Sequence, residues 1–463
     1  MARIVIIGGG PAGYEAALVA ARLDANVTVV EDVGAGGACV LSDCVPSKTF
    51  IASSTMRTTT AHAARLGVVA NDVHVDIESV HNRVRTLASQ QSVDVCDQLI
   101  KAGVNYVSGR ASLVAGSGPY RHRVEIDPAD GASYSVDADV VLLATGATPR
   151  VLRDAKPDGK RILSWRQVYD LEELPEKLIV VGSGVTGAEF ASAYLAMGVD
   201  VTLVSSRTHV LPHEDEDAAQ AIESVFAERG MTIISQARAM KVTATDDEAI
   251  VELADGRTLT GSHVLMTVGS VPNTAELGLA EADIQLDERG FIETDRVSRT
   301  NVPGVYAAGD VTGVLMLASA AAMQGRIAMW HALGEEVKPL ELKTVAANVF
   351  TDPELATVGA SQADVDSGRV PARSVTLPLE GNPRAKMLDY TDGFVKLFCR
   401  PASGLVVGAV VVAPNASELI LPISLAIQHH LTVAQLAQTI TIYPALSGSI
   451  AEAARRLVQH EFD

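Results

Sequence analysis

The sequence predicts an α/β protein built on a repeated βαβ unit, with a β-meander between the repeats and an α+β domain toward the C-terminus. Three observations predict this. The spacing G-x-G-x-x-G occurs at Gly8, Gly10 and Gly13 and again at Gly182, Gly184 and Gly187. Each time it follows a short apolar run and precedes a helical stretch and a second apolar run. Residues 104–140 alternate in short stretches broken by turn residues. Beyond residue 340, strand-like segments and then helices follow with no further glycine-rich loop. One such glycine pattern is weak evidence; two in the same strand–loop–helix–strand setting read as two Rossmann-like dinucleotide-binding domains.

Taken in order, residues 3–7 form the first strand, the glycine loop and a helix follow, and "NVTVVE" is a second strand ending at Glu31. Residues 51–103 read as helical, with Val80, Val84 and Leu87 on one face. The meander over 104–140 is expected to turn at "GSGP" and at "PADG". The second unit runs from the strand 177–181 through its glycine loop and a helix to "DVTLVSS". In the last part, "GFVKLFC" and "GLVVGAVVVA" read as strands of the α+β domain.

The chain has 463 residues, enough for roughly two to four domains. Hydrophobic residues make up 48 % and charged residues 20 %, an ordinary globular balance. A net charge of −19 argues against nucleic acid and anionic membrane as partners. No apolar run is long enough to span a bilayer. The apolar N-terminus reads as a buried strand and phosphate loop, because glycines and Glu15 interrupt it too early for a signal peptide. Four cysteines in a chain this long fit a reducing compartment, so a cytoplasmic protein is expected.

In both loops, glycines let backbone approach a pyrophosphate, and the following helix offers free N–H groups and the positive end of its dipole. The residue ending the second strand then reads the ribose. In the first unit it is Glu31, whose carboxylate can accept from free hydroxyls. In the second it is Ser205, followed by Ser206 and Arg207. A missing acid with an arginine nearby suits a 2′-phosphate, which favours NADPH, while Gly187 as third glycine keeps NADH open.

Cys39 and Cys44 stand in C-x4-C spacing within "GGACVLSDCVPSKTF". In a regular helix this spacing puts the Cα atoms beyond the ~7 Å reach of a disulfide. A bond would require a distorted segment, and Pro46 suits one. Zinc is poorly served, because no second cysteine pair stands at ligand spacing. Cys96 and Cys399 read as small buried residues.

With these motifs go "GGGPAG" (8–13), "ATGATPR" (144–150), "GSGVTGAEF" (182–190), "VGSVPNT" (268–274), "VYAAGD" (305–310), "VFTDPELATVG" (349–359) and "APNASELI" (413–420). In this order, over essentially the whole length, the chain resembles the flavoprotein disulfide reductases, the class of lipoamide dehydrogenase and glutathione reductase. The resemblance implies an FAD-binding domain over 1–149 and an NAD(P)H-binding domain over 150–271. A central segment over 272–339 returns to the FAD domain, and 340–463 form a dimerisation domain of a homodimer. It implies a redox-active Cys39–Cys44 disulfide, with Cys44 against the flavin and Cys39 exchanging with substrate. It places Lys48 beside the hydride-accepting nitrogen, with Glu189 as its partner. Thr145, Gly146, Gly269, Gly309 and Asp310 are implied cofactor-binding residues, Asp310 holding the ribityl chain. The helix beginning near Leu317 and Ala318 is implied to stabilise reduced flavin through its positive end. Val185 stands where a side chain would cover the nicotinamide face, and its small size leaves that face open.

The family's disulfide exchange uses a histidine oriented by a glutamate, supplied by the partner subunit in a stretch similar to "HxHPTLSE". Here the stretch reads "TIYPALSG", 441–448. Pro444, Leu446 and Ser447 keep the register, Tyr443 takes the histidine position and Gly448 the glutamate position. Tyrosine keeps its proton at neutral pH and cannot serve as the base. General acid–base catalysis is worth roughly 10²–10⁴-fold, so thiol exchange should be slow. His429 and His430 lie in a different helical segment and are poor substitutes. The transfer from nicotinamide to flavin remains provided for, and Tyr443 would face a flat acceptor such as a quinone. The expected activity is therefore an NAD(P)H:quinone-type oxidoreductase. A disulfide reductase acting on a substrate with its own proton donor and a pyridine nucleotide transhydrogenase are the alternatives. No metal is expected.

Overall fold

The computed structural model describes residues 1–71, 73–114, 122–390 and 392–459. The expected "GSGP" turn at 116–119 lies outside the described residues. In chain order the strands and helices are β1 (Arg3–Ile7), α1 (Pro11–Arg22), β2 (Asn26–Glu31), α2 (Gly37–Leu41), α3 (Cys44–His62), α4 (Ile77–Lys101) and β3 (Asn105–Val114). Next come β4 (His122–Pro128), β5 (Tyr134–Ala138), β6 (Val140–Leu143), β7 (Ala147–Pro149), β8 (Ile162–Ser164), β9 (Lys177–Val181), α5 (Val185–Ala196), β10 (Asp200–Val204) and α6 (Glu216–Glu228). Then follow β11 (Thr232–Ile234), β12 (Ala239–Ala244), β13 (Ala249–Leu253), β14 (Thr258–Gly261), β15 (His263–Met266), β16 (Ser270–Pro272), β17 (Val305–Ala307) and α7 (Ala318–Ala332). The last strands are β18 (Ala347–Val349), β19 (Glu354–Gly359), β20 (Arg373–Pro378), β21 (Phe394–Cys399) and β22 (Val406–Ala413). Later helices are named by their residues.

The chain forms two compact units. The first comprises Met1–Thr49, His81–Arg150 and Gly269–Glu341. Its sheet runs β17-β6-β1-β2-β3-β4-β5, parallel from β17 to β3 and antiparallel thereafter. β3 thus serves twice, as a strand of the nucleotide fold and as the first strand of the meander. β1 shows why its sequence is apolar throughout: Ile4 and Ile6 enter the core that holds residues of α1 and α7, and Val5 and Ile7 enter the core that holds Val124 and Ile126 of the meander. The return of the chain at Gly269 is marked by β16, which pairs antiparallel with β7. The returning segment of this compact unit starts at Gly269, and Ser270–Pro272 is held by Ala147–Pro149.

The second unit comprises Phe50–Val80, Val151–Val268 and Leu342–Asp463. It holds the second βαβ repeat in a parallel sheet ordered β11-β10-β9-β15-β8, with a three-stranded antiparallel sheet β12-β13-β14. Its C-terminal part is an antiparallel sheet ordered β18-β19-β22-β21-β20. Val395, Leu397 and Cys399 of β21 pack inward with Ile423, Leu436, Ile450 and Leu457 from the helices that cover it. Cys399 is a buried core residue, as expected, and Cys96 packs half-buried against the core of the first unit.

Two expectations about residues 51–103 are corrected. The helices α3 and α4 do not join: Ala63–Leu66 form a short 3-10 helix, and residues 67–71 and 73–76 lie in no helix. The buried ridge of α4 is Ile77, His81, Val84, Ala88, Val95 and Leu99, while Val80 and Leu87 flank it half-buried. Val84 belongs to both readings, so the face was misjudged by a single step around the helix.

Lys396 was not singled out by its sequence setting. It points from β21 to the face opposite Val395 and is 4 % exposed. Its ammonium donates to Asp215 Oδ2 at 2.9 Å and Asp217 Oδ2 at 2.8 Å. Asp215 is itself buried and caps α6 by accepting from the Ala218 N–H at 3.3 Å. Removing the cation leaves a buried carboxylate without its counter-charge. Lys396→Met is expected to destabilise the protein by roughly 3–5 kcal/mol in denaturant unfolding. Adding Asp215→Asn, which keeps the cap but removes the charge, should recover a large part of that loss.

Candidate active site

The two glycine loops repeat one construction. Gly10 and Gly184 precede α1 and α5 with nearly equal backbone angles, φ −68° and ψ −175° against φ −72° and ψ −173°. A Cβ on Gly13 would overlap the carbonyl oxygen of Gly8, and one on Gly187 that of Gly182. At Gly10 and Gly184 a Cβ would meet no atom within 4 Å. The crowded glycines draw helix and strand together, and the open ones leave backbone bare toward a ligand. Neither helix has a side-chain cap, so the amides of the first turn stay available to phosphate. In the second loop Thr267 adds a brace that sequence reading missed. Its hydroxyl lies 3.0 Å from the carbonyl oxygen of Val181 and 2.9 Å from that of Gly182.

Glu31 ends β2 as expected, buried beneath the first loop. Its Oε2 accepts from the Gly9 N–H at 2.6 Å, and its Oε1 from the N–H groups of Val33 at 2.8 Å and Gly34 at 3.4 Å. It shapes the loop first and still has acceptor capacity for a ribose hydroxyl. Burial raises its pKa, against the lowering effect of these amides.

Ser205 corresponds to Glu31 in the second unit, but it is fully buried. Its hydroxyl accepts from Ser183 Oγ at 2.7 Å and from the Arg207 N–H at 3.1 Å. The hydroxyl is engaged in shaping the turn. Ser206 and Arg207 are exposed at the strand end.

The cysteine segment is distorted as the spacing requires, though not at Pro46. The break lies at Ser42 and Asp43, between α2, which carries Cys39, and α3, which opens with Cys44. Pro46 falls in the first turn of α3, where its missing N–H costs nothing. Both cysteines are free thiols, hydrogen-bonded to each other. The hydrogen bond from Cys44 lowers the pKa of Cys39, and the same contact together with burial raises that of Cys44. Lys48, one helical turn beyond Cys44, lowers both, while Asp43 raises both.

Gly309 and Asp310 follow β17, and Gln324 of α7 fixes the turn by accepting from the Gly309 N–H at 2.9 Å. The Asp310 carboxylate takes no hydrogen bond from a described residue; burial, and then the charge of Asp43, push its pKa up to about 6. Leu317 and Ala318 form the uncapped start of α7. Thr145 and Gly146 are tied to the returning chain: Thr145 Oγ1 donates to the Asn273 carbonyl at 2.7 Å, and Asn273 Nδ2 donates back at 2.8 Å. Gly269 accepts from the Arg150 N–H at 2.9 Å in the same strap. An open glycine cradle, two uncapped helix starts and a buried carboxylate lacking a donor among the described residues fit the FAD that the family resemblance implies.

In the second unit, Glu189 is buried on α5 and accepts from the Phe350 N–H at 2.9 Å. Val185 begins α5 and is 42 % exposed. Tyr443 is 80 % exposed, beside Ile440 and Ile442, which are also exposed. The chain after it is anchored by Asn382, whose amide donates to the Ala445 carbonyl at 3.1 Å and to Ser449 Oγ at 2.8 Å. Gly448 opens the helix Gly448–Gln459.

Among the described residues no helix is long and apolar enough to cross a membrane. Residues 2–325 match the pyridine nucleotide-disulphide oxidoreductase family, and residues 345–454 match the dimerisation domain of that family. The chain is 57 % identical over 465 residues to a Mycobacterium tuberculosis protein named NAD(P)H dehydrogenase (quinone), covering 99 % of this chain and 94 % of that one. It is 31 % identical to a dihydrolipoyl dehydrogenase of Chlamydia pneumoniae over 98 % and 97 % of the two chains. The crystal structure of LpdA from Mycobacterium tuberculosis is similar at a TM-score of 0.95 and 57 % identity, covering 99 % of this chain and all of that one.

Asp310 gives a pH test. Its folded-state pKa lies above the ordinary carboxylate value, so ionisation disfavours the ligand-free fold. That cost is absent below the ordinary value and complete above about 6. Asp310→Asn should therefore raise the thermal midpoint of the ligand-free protein at about pH 8, with the gain vanishing as pH falls toward ~4.

Proposed function

Since the chain belongs to the pyridine nucleotide-disulphide oxidoreductase family, we propose that it is an FAD-dependent NAD(P)H dehydrogenase delivering electrons to a quinone-type acceptor. When bound, the flavin supplies the chemistry of accepting a hydride from the nicotinamide and passing two electrons onward. The protein's part is to hold and orient. The loop of Gly8, Gly10 and Gly13 cradles the FAD pyrophosphate, and Glu31 meets the ribose. Asp310, Thr145, Gly146 and the start of α7 surround the remainder. The loop of Gly182, Gly184 and Gly187 takes the second dinucleotide. NADPH is the favoured donor, because exposed Arg207 stands at the strand end where an acid would select a free ribose. By the family pattern Lys48 serves the flavin edge, and on the second dinucleotide domain Glu189 and Val185 serve the nicotinamide side, Val185 leaving its face clear.

One observation carries the choice of acceptor: Tyr443 and Gly448 stand where the family's disulfide exchange needs a base and its orienting acid. Reduction of a quinone takes two electrons and two protons and involves no thiol leaving group. The name borne by the mycobacterial relative, of which this chain covers nearly the whole length, supports the same reading. The exposed Ile440, Ile442 and Tyr443 suit a homodimer in which this segment faces the partner's site. The cysteine count is consistent with work in the cytoplasm.

The neighbouring thiols of Cys39 and Cys44 favour a second reading, disulfide reduction. Cys39→Ser separates the two. Quinone turnover with NADPH should stay within about twofold of the wild type, because no interaction of the rate-limiting transfer is removed. Its collapse would return the protein to disulfide chemistry. Arg207→Ala should lower kcat/KM for NADPH by roughly 10–100-fold and leave NADH nearly unchanged, since a charge-assisted phosphate contact is lost.

A further inference from the structure

Asp43, which the proposed reaction does not use, lies in the turn between α2 and α3, directly before Cys44. The Asp43 N–H donates to the Ala38 carbonyl at 2.8 Å, closing the turn that carries Cys39. The Asp43 carbonyl accepts from the Ser47 N–H at 2.8 Å, opening α3 with Cys44 as its first residue. The amides and dipole of a helix start favour a thiolate in the first turn. Lys48, one turn on, acts in the same sense. Asp43 occupies the cap position of that helix and brings a negative charge to its positive end. The charged and titratable groups that bear on the pair are Asp43 from the turn, Lys48 from α3, Asp310 from the turn after β17 and Tyr14 from α1. Of these only Asp43 is bonded through its own backbone to both cysteine-bearing turns.

We infer that Asp43 is a specificity-determining residue that opposes thiol exchange at Cys39 and Cys44 and so leaves reducing equivalents to a non-thiol acceptor. Two electrons from the reduced nicotinamide, with two protons, break an S–S bond between the cysteines and give two thiols. Exchange then requires one thiol to lose its proton. The resulting sulfur anion attacks a substrate disulfide, a new S–S bond forms, and the departing sulfur takes up a proton. Asp43 acts on the deprotonation. The consequence for the acceptor rests on the quinone reading above; the effect of its charge on the thiols does not.

The test is the pH profile of iodoacetamide alkylation at Cys39 and Cys44 in the phosphine-reduced holoenzyme, read by peptide mass spectrometry. In Asp43→Asn the inflection should fall by about one pH unit and the rate at neutral pH rise roughly tenfold. Asp43→Glu should keep the wild-type profile. Asparagine and serine both cap helices, so Asp43→Ser repeats the charge removal if Asp43→Asn fails to retain flavin. Lipoamide reduction, expected to be slow in the wild type, should rise in proportion. A wild-type profile in the charge-removal variant that retains flavin overturns the inference, as does a shifted profile with no gain in lipoamide reduction. Quinones found inert alongside a shifted profile and raised lipoamide reduction would instead defeat only the acceptor reading.

Discussion

The carbonyl oxygen of Gly8 lies where any side chain at position 13 would have to go, and the oxygen of Gly182 does the same at 187. Because no side-chain carbon intervenes, α1 and α5 begin close against β1 and β9. That closeness aims the uncapped helix starts at the open backbone of Gly10 and Gly184. Everything else at the nucleotide sites adapts to it. Glu31 spends three of its hydrogen bonds holding the first loop, and Thr267 and Ser205 brace the second from beneath. The same constraint is met twice with different auxiliary residues, since Ala144 stands in the first loop where Thr267 stands in the second.

Around the cysteines the contact between the two thiols and their burial act most strongly, and the neighbouring charges act after them. Lys48 favours a thiolate, while Asp43 and Asp310 oppose it at Cys39. The thiols resolve the conflict partly between themselves, one donating to the other. On the reading proposed above, in which Tyr443 and Gly448 supply no base, the charges of Asp43 and Asp310 act in the same direction as that substitution.

The repeated βαβ units were legible to the residue, because apolar runs bounded by glycine admit few alternatives: β1, β2 and β9 span what the sequence suggested. The long helical stretch was less legible. Val80, Val84 and Leu87 fit one face, yet the buried ridge runs through Ile77, His81 and Val84. Periodicity alone did not anticipate a buried histidine. The role of Ser205 was hidden for a different reason, since its motif position is shared by residues facing ligand and residues facing inward, and only burial separates them. Lys396 lay within an apolar strand and gave no sign of Asp215, far away in sequence. Asn273 and Gln324 sat in or near recognised motifs, but their partners are backbone groups that no pattern of residue types encodes.

The ion pair of Lys396 and Asp215 joins the C-terminal sheet to the helix that follows the second dinucleotide strand. Charged groups lose less hydration free energy on burial as temperature rises, whereas apolar contacts gain little more. The junction between β21 and α6 is therefore held by a contact that strengthens relative to the surrounding core on warming. Near the upper end of the working temperature range, this is a place where the second unit should be slow to come apart.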